Sequence, residues 1–374
     1  MNIVEVSTKK EMALFIDYPN ELYQHCEFYV PPVYGEVKKM LSRQNPFFAH
    51  SQMQLFLVYD KDKILGRIAA IFNKTHLDTY HDSTGFFGFF DSINDTRVSS
   101  MLFNAAEQWL KARGITKIAG PTNITTNDSC GILSKGFNLP PAILMPYNYD
   151  YYENLISSYG FSKKIALFSY AISGSKILSE FPNIYDKAVQ YMNNNGIIIR
   201  NLTKNTFQED IEKLNSVYNE SNKHNWGFMP LNETEFRAMA NDLKKTTPLD
   251  LTLIVEKRDQ IIGFLIAVPN LNEALRYVSE GKLSLTGIYQ FMKNQHKIKS
   301  ARILILGLLN GYRNMGIDLV LYQKIKEALN KRKIFKSEAC YVMESNKSMV
   351  SILDKLAEER LKEYQIFEKE IIYH

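Results

Sequence analysis

The sequence predicts a mixed α/β protein made of two successive domains of the same layout. Three observations carry that expectation. A hairpin signature occurs once in each half: Gln54–Tyr59 and Ile64–Phe72 flank a polar turn at Asp60–Lys63, and Leu251–Val255 and Ile261–Val268 flank another at Glu256–Gln260. Each half reads strand, helices, hairpin, strand, helix, strand, helix, strand. The chain has 374 residues, longer than one usual domain, and its 45% apolar and 12% aromatic content suffices for two cores. The expected boundary separates residues 1–174 from 175–374, at the break Ser173-Gly-Ser.

Taken in order, Ile3–Val6 is a short strand, and Thr8 with Glu11 three residues later forms a capping box that opens a helix. The prolines between Tyr29 and Phe48 make that stretch irregular. After the first hairpin, Gly85–Asp91 is a strand and Val98–Arg113 a helix with its apolar stripe at Leu102, Ala105, Trp109 and Leu110. The connection between them has no glycine and offers Ile93, Asn94 and Asp95, which suits an anion poorly. Turn formers then crowd Gly120–Gly131 and Gly136–Pro141. A short helix follows, ending at Gly160, and then a strand, Ile165–Ile172. Asn123, Asn127, Asp128, Tyr147, Tyr151 and Tyr152 form a polar block, read either as an acceptor pocket or as turn residues and packed tyrosines.

Composition narrows the function. The 45 basic and 40 acidic residues leave a net charge of +5 spread along the chain, with no nucleic-acid-binding tract and a mild preference for anions. Cys26, Cys130 and Cys340 are three in number and far apart, so neither a disulfide framework nor a zinc site is indicated. The N-terminus lacks a signal-peptide pattern, and no apolar run approaches the length of a membrane span. A cytoplasmic protein without a transmembrane segment or metal is expected.

In the second half, helices are expected at Phe181–Asn194, Phe207–Lys223 and Glu233–Lys245. The stretch Ile303–Asp318 then breaks from a strand at Gly307, Gly311 and Gly316 and restarts as a helix with apolar positions Ile317, Val320, Leu321, Ile325, Ala328 and Leu329. The unpaired N–H groups of such a helix start attract anions, and Arg313 adds a fixed positive charge with planar donors. Glu338–Met343 is the next strand, Asn346 opens a helix, and Tyr364–Ile371 is the closing strand.

The run from Arg313 to Gly316 after a strand resembles the pyrophosphate loop of the GCN5-related N-acyltransferase (GNAT) superfamily. The ending Tyr151-Tyr152 through Gly160-Phe161 of the first half resembles the family's Tyr-x-x-x-Gly-Phe close, the Asn-initiated helix of the second resembles a further part of that fold, and the features from Gly66 to Phe161 are similar to its YghO-like bacterial branch. The resemblance implies two tandem acyl-CoA N-acyltransferase-like domains, each a mostly antiparallel mixed sheet flanked by helices. Only the second is expected to bind acetyl-CoA or a longer acyl-CoA. It implies direct attack of a small-molecule or lipid-like amine on the thioester in a ternary complex, by a monomer acting as a pseudo-dimer or by a homodimer. Leu306, Gly307, Leu308, Gly311, Tyr312, Arg313, Asn314, Met315, Gly316, Ile317 and Asn346 would contact the donor. Tyr341, Glu344 and His224 are candidates for proton transfer, and Asn123, Asp128, Tyr147, Tyr151 and Tyr152 for acceptor binding. Two departures stand out: Asp318 places a carboxylate near the phosphate loop, and Leu353 replaces the tyrosine often found in the Asn-initiated helix. A Fem-like aminoacyl transferase and a non-catalytic sensor on the same fold are the rival readings. Residues 269–300 form an insertion with two apolar helical stripes, Leu271, Ala274, Leu275 and Val278, then Ile288, Phe291 and Met292. It is read either as a lid over an acyl chain or as core packing.

Overall fold

The structure, a computed structural model, describes residues 1–172, 179 and 181–372. The chain divides into two compact units. The first is Met1–Leu167 with Ala274–Gln295 and Lys362–His374, and the second is Phe168–Glu273 with His296–Leu361. The break expected at 174/175 falls outside the described residues.

The first unit opens with β1 (Asn2–Glu5) and α1 (Lys9–Leu22). Thr8 and Glu11 make the expected reciprocal capping box at the start of α1. There follow α2 (Tyr34–Met40), the hairpin β2 (Gln52–Asp60) and β3 (Lys63–Phe72), α3 (Lys74–Tyr80), β4 (Thr84–Ser92), α4 (Thr96–Lys111), β5 (Lys117–Gly120), β6 (Ile132–Lys135), α5 (Tyr152–Ser158) and β7 (Ser162–Ile172). Strands β1 to β4 are antiparallel in sequence order, whereas β4 and β5 are parallel, as the intervening helix α4 requires. Val98, Leu102, Phe103, Ala106 and Leu110 of α4 are buried with Phe87, Phe90, Tyr152, Phe161 and Phe367 in one core.

The second unit repeats the order with α6 (Pro182–Asn194), β8 (Ile197–Asn201), α7 (Phe207–Asn222), α8 (Glu233–Thr246), β9 (Thr252–Lys257) and β10 (Gln260–Pro269). An inserted helix, α9 (Leu285–Asn294), precedes β11 (Ser300–Leu308), α10 (Ile317–Lys331), β12 (Lys336–Met343), α11 (Lys347–Leu356) and β13 (Glu359–Glu370). Again β8 to β11 are antiparallel and β11 to β12 parallel. The duplication inferred from element order is thus a duplication of topology, and the fold is the expected mixed α/β arrangement flanked by helices, although the strands join in one continuous sheet where two were expected.

Two features depart from the linear reading. The closing strand expected in the second half belongs to the first unit. β13 pairs with β5 from Phe367↔Gly120 to Glu370↔Lys117 and with β6 from Glu363↔Lys135 to Gln365↔Ile132. Phe367 enters the first core, and Lys369 bonds to Glu107 of α4. Conversely, the end of β7 serves the second unit: Ser169 Oγ donates to Glu338 at 2.5 Å, Tyr170 Oη to Asp354 at 2.9 Å and Ser337 Oγ to the Ile172 carbonyl at 3.2 Å. Period-two patterning marks a strand but not its partner, so such an exchange is invisible in the sequence.

The insertion is the second departure. Its α9 segment joins the first unit, tied there by Arg276 to the Glu27 carbonyl (3.1 Å) and Asn20 to the Glu280 carbonyl (3.5 Å). The backbone at Gly281 passes so close to the Pro32 carbonyl oxygen that a Cβ would lie 2.0 Å from it. Ala274, Leu275 and Val278 are buried, as core packing requires, but Ile288 and Met292 face solvent. The second stripe therefore does not pack as core, in contrast to the first.

Candidate active site

The strand β11 and helix α10 assemble the centre of the second unit. β11 pairs with β12 only from Ser300↔Lys336 to Ile303↔Ala339, leaving the ends Leu304–Leu308 and Cys340–Met343 beyond their shared ladder. The buried Arg302 donates from Nε to the Cys340 carbonyl at 3.1 Å, at the point where the ladder stops. On the other side of β11, Gly307 faces α7: a Cβ there would lie 2.5 Å from Ser221 Oγ and 2.7 Å from the Phe264 ring. Only glycine permits that approach.

After Leu308 the chain makes a single 3-10 turn, Asn310–Tyr312, then passes through left-handed conformations at Asn314 (φ 61°) and Gly316 (φ 76°) before entering α10. A Cβ at Gly316 would sit 2.8 Å from Ala188 Cβ of α6, so both conformation and space require glycine here. Among the described residues, the backbone N–H groups of Asn314, Met315, Gly316 and Ile317 donate to no protein acceptor. Gly311, Asn314 and Met315 are exposed. Consecutive free N–H groups in such alternating backbone form an anion-binding nest, reinforced by the helix dipole.

Arg313 lies differently from the simple phosphate-donor reading. Its Nε donates to the Leu308 carbonyl at 3.0 Å and one Nη to the Ser221 carbonyl at 2.7 Å, so it pins the loop to β11 and to the end of α7. Tyr312 lies 5.4 Å from Lys257 Nζ, which brings a second cation to the loop. Asp318 does not turn away from the helix start. It stands in the first turn of α10, where burial pushes its pKa up and the N–H groups of the helix start oppose that shift. Nothing in the sequence places α7, and with it Ser221, against this loop.

The remaining donor and proton-transfer candidates are less closely held. Asn346 caps α11 by accepting from the Met349 N–H at 3.2 Å and is exposed. Tyr341 is half-buried, with its ring 5.3 Å from the Arg302 guanidinium carbon; Glu344 is half-buried just beyond β12, and His224 is exposed beyond α7. Leu353 is fully buried in α11.

A narrow apolar cavity of about 40 Å³ lies between α7, α8 and the strands β10 and β11. Phe207, Leu214, Phe236, Ala240, Ile266 and Ile305 line it, and Lys244 and Thr247 are also in its wall. Thr247 is 6% exposed, and its Oγ1 has no hydrogen-bond partner among the described residues. Ile305 lies immediately before the Leu306–Leu308 segment.

In the first unit, the acceptor candidates serve internal roles. Asn123 Oδ1 accepts from the Phe89 N–H at 2.8 Å, and Asp128 accepts from the N–H and hydroxyl of Thr125 at 3.2 and 2.7 Å. The hydroxyls of Tyr147 and Tyr151 donate to the Phe137 and Ser92 carbonyls. Tyr152 joins Tyr23 in a buried network on Asp91, which is also paired with Arg67 at 2.7 Å. At the start of α4, where the second unit has its free nest, the Asp95 carboxylate caps the Arg97 N–H at 2.8 Å and supplies the negative charge itself.

No protein-family model matches the chain. It is 31% identical over 369 residues to Protein YghO of Escherichia coli, covering 97% of this chain and 94% of that protein. It is 29% identical over 377 residues to Bacterial ceramide synthase of Caulobacter vibrioides, with 99% and 97% covered. Among solved structures, a tandem GNAT protein from the clavulanic acid biosynthesis pathway superposes with a TM-score of 0.56 at 9% identity, over 100% of this chain and 99% of that one. A GCN5-related N-acetyltransferase from Sphaerobacter thermophilus gives 0.56 at 12% identity, over 99% and 96%. These structural likenesses establish the shared fold.

Proposed function

Because the chain belongs to the family of Protein YghO and carries the GNAT fold, we propose that it is an acyl-CoA-dependent N-acyltransferase whose second unit binds the donor and whose acceptor is a lipid-like amine. The observation that carries this reading is the nest of four free N–H groups at Asn314–Ile317 beside the open end of the β11–β12 ladder. The diphosphate of CoA fits it in charge and in donor number. The backbone of Leu306–Leu308, paired with β10 on one side and beyond the β12 ladder on the other, would align the pantetheine and thioester by strand-like hydrogen bonds.

The amine must lose a proton as the C–N bond forms and the C–S bond breaks, and the departing thiolate must gain one. Glu344 and Tyr341, at and just beyond the end of β12, are the groups of the second unit proposed for these transfers. The name of the Caulobacter relative supports a long-chain amine as acceptor, since ceramides are amides of such amines. The apolar cavity at Ile305 would take the aliphatic chain of the donor.

Titration calorimetry with CoA, followed by mass spectrometry of mixtures containing acyl-CoA and a long-chain amine, tests the proposal. Micromolar CoA binding and formation of the amide are expected. Failure of CoA to bind, or binding that survives disruption of the nest by Gly316→Pro in a folded protein, would overturn it.

A further inference from the structure

Arg302 stands where an arginine is seldom found. It lies within β11, is 4% exposed, and sits opposite Glu338 of β12 in the parallel ladder. A guanidinium is kept in such a place only where its donors are taken up. One of them goes to the backbone of the neighbouring strand: Nε bonds to the Cys340 carbonyl at 3.1 Å.

The position of that carbonyl gives the bond its meaning. The ladder ends with Ile303↔Ala339, and Cys340 is the first residue of β12 beyond it. On its other edge β11 stays paired with β10 as far as Gly263↔Leu308, with a bulge at Leu304, because Ile266 stands opposite Ile305 and Ala267 opposite Ile303. β11 therefore continues as a strand past the point where β12 leaves it. A ladder that continued would offer the β12 carbonyls the backbone N–H groups of β11. The Arg302 side chain meets the first such carbonyl instead. Its guanidinium carbon is also 5.3 Å from the ring of Tyr341, so one side chain reaches both residues with which β12 departs.

The geometry points to Arg302 as a positioning residue: by occupying the Cys340 carbonyl it stops the ladder at Ile303 and keeps the N–H groups of Leu304–Leu308 that face away from β10 open for the pantetheine and thioester carbonyl of the donor. The identity of that occupant rests on the acyltransferase reading, whereas the stop in the ladder is measurable without any substrate.

Two substitutions isolate the bond. Glutamine carries its amide nitrogen on Cδ, the carbon that bears Nε in arginine, so Arg302→Gln keeps a donor at that position, while Arg302→Met has a similar outline and donates nothing. Both remove the charge opposite Glu338, so they differ only in the bond to Cys340. Amide hydrogen exchange of the full chain is followed by mass spectrometry, CoA binding by calorimetry, and turnover with an acyl-CoA and a long-chain amine. In Arg302→Met the released carbonyl recruits the N–H groups of β11: exchange across Leu304–Leu308 should slow at least about tenfold, and kcat should fall at least about tenfold for want of a positioned thioester. The Kd for CoA, set by the Asn314–Ile317 nest, should change less than about twofold. Arg302→Gln should match wild type in exchange and keep at least about a third of kcat. Simple loss of order does not give this pattern, since it speeds exchange. Unchanged or faster exchange in Arg302→Met, or glutamine and methionine variants that behave alike, would overturn the proposal. If wild type binds no CoA while methionine slows exchange as expected, the acyltransferase reading falls and Arg302 stands as the stop of the ladder.

Discussion

Replacing Ala240 by leucine should shorten the acyl chain the protein accepts. Ala240 is buried on α8 and lines the apolar cavity with Ile266 and Ile305. Leucine adds three carbon atoms to that wall and would displace roughly three methylenes of a bound chain, each worth roughly 0.8 kcal/mol in water-excluding burial. The sum, about 2.4 kcal/mol, corresponds to roughly sixtyfold weaker binding of a long-chain acyl-CoA, with no change for acetyl-CoA, whose acyl group ends short of the cavity. Calorimetric titration of wild type and Ala240→Leu with acetyl-, octanoyl- and palmitoyl-CoA measures this directly. A urea denaturation curve checks that the added volume costs no more than the roughly 1–3 kcal/mol of ordinary overpacking. If long and short thioesters are weakened equally, or neither is, the cavity does not hold the donor chain. If thioester affinities stay level while the KM for a long-chain amine rises, the cavity belongs to the acceptor.

Four further outcomes follow from the geometry. Arg313→Ala should weaken CoA binding by about 1.5–3 kcal/mol, because the Leu308 and Ser221 carbonyls lose their donor and the loop its anchor. Arg313→Lys, which keeps the charge but not the two-carbonyl bridge, should recover less than half of that, and full recovery by lysine would show that charge alone matters. Gly316→Ala should destabilise by about 2–4 kcal/mol in urea unfolding, from the left-handed backbone and the Ala188 contact together; a loss under about 0.5 kcal/mol refutes the account. Asp318→Asn should tighten CoA binding several-fold by removing a carboxylate from the helix start, and unchanged affinity would show that Asp318 leaves room for the phosphates. Asp128 gives a pH signature: burial pushes its carboxyl from 3.8 up to about 6, so the folded state holds the proton more tightly than the unfolded one. Its contribution to stability is present below about pH 4 and lost as pH rises through about 6, a change of about 1–3 kcal/mol that Asp128→Asn should abolish from the pH dependence of unfolding.

The sequence made the elements legible because each has a local cause. The Thr8–Glu11 capping box, the two polar hairpin turns and the glycine that starts α10 all appear where their residues predict them. The loop before α10 was equally readable, since Gly316 needs a positive φ and stands before a helical stripe. What was not legible depends on which surface meets which. The pattern of Tyr364–Ile371 announces a half-buried strand yet is indifferent to whether β5 or some other edge receives it. Arg313 reads as a free cation until Ser221 is seen beside it, 92 residues earlier in the chain.

The polar block of the first half shows the same limit at the level of single side chains. Asn123, Asp128, Tyr147, Tyr151 and Tyr152 were singled out because polar groups clustered in turns can greet a ligand. Each finds its partner within its own unit: a strand N–H, a loop threonine, a carbonyl, or the Asp91 network. Tyr147 and Tyr151 are half-buried, and drawing either hydroxyl toward a substrate would give up its bond to a backbone carbonyl, a net loss of about 0.5–1.5 kcal/mol. The nest at Asn314–Ile317 is the opposite case, four donors with no internal acceptor. Free donors gain by meeting an anion and lose nothing within the protein, which is why the case for donor binding rests on backbone groups that side-chain chemistry alone could not reveal.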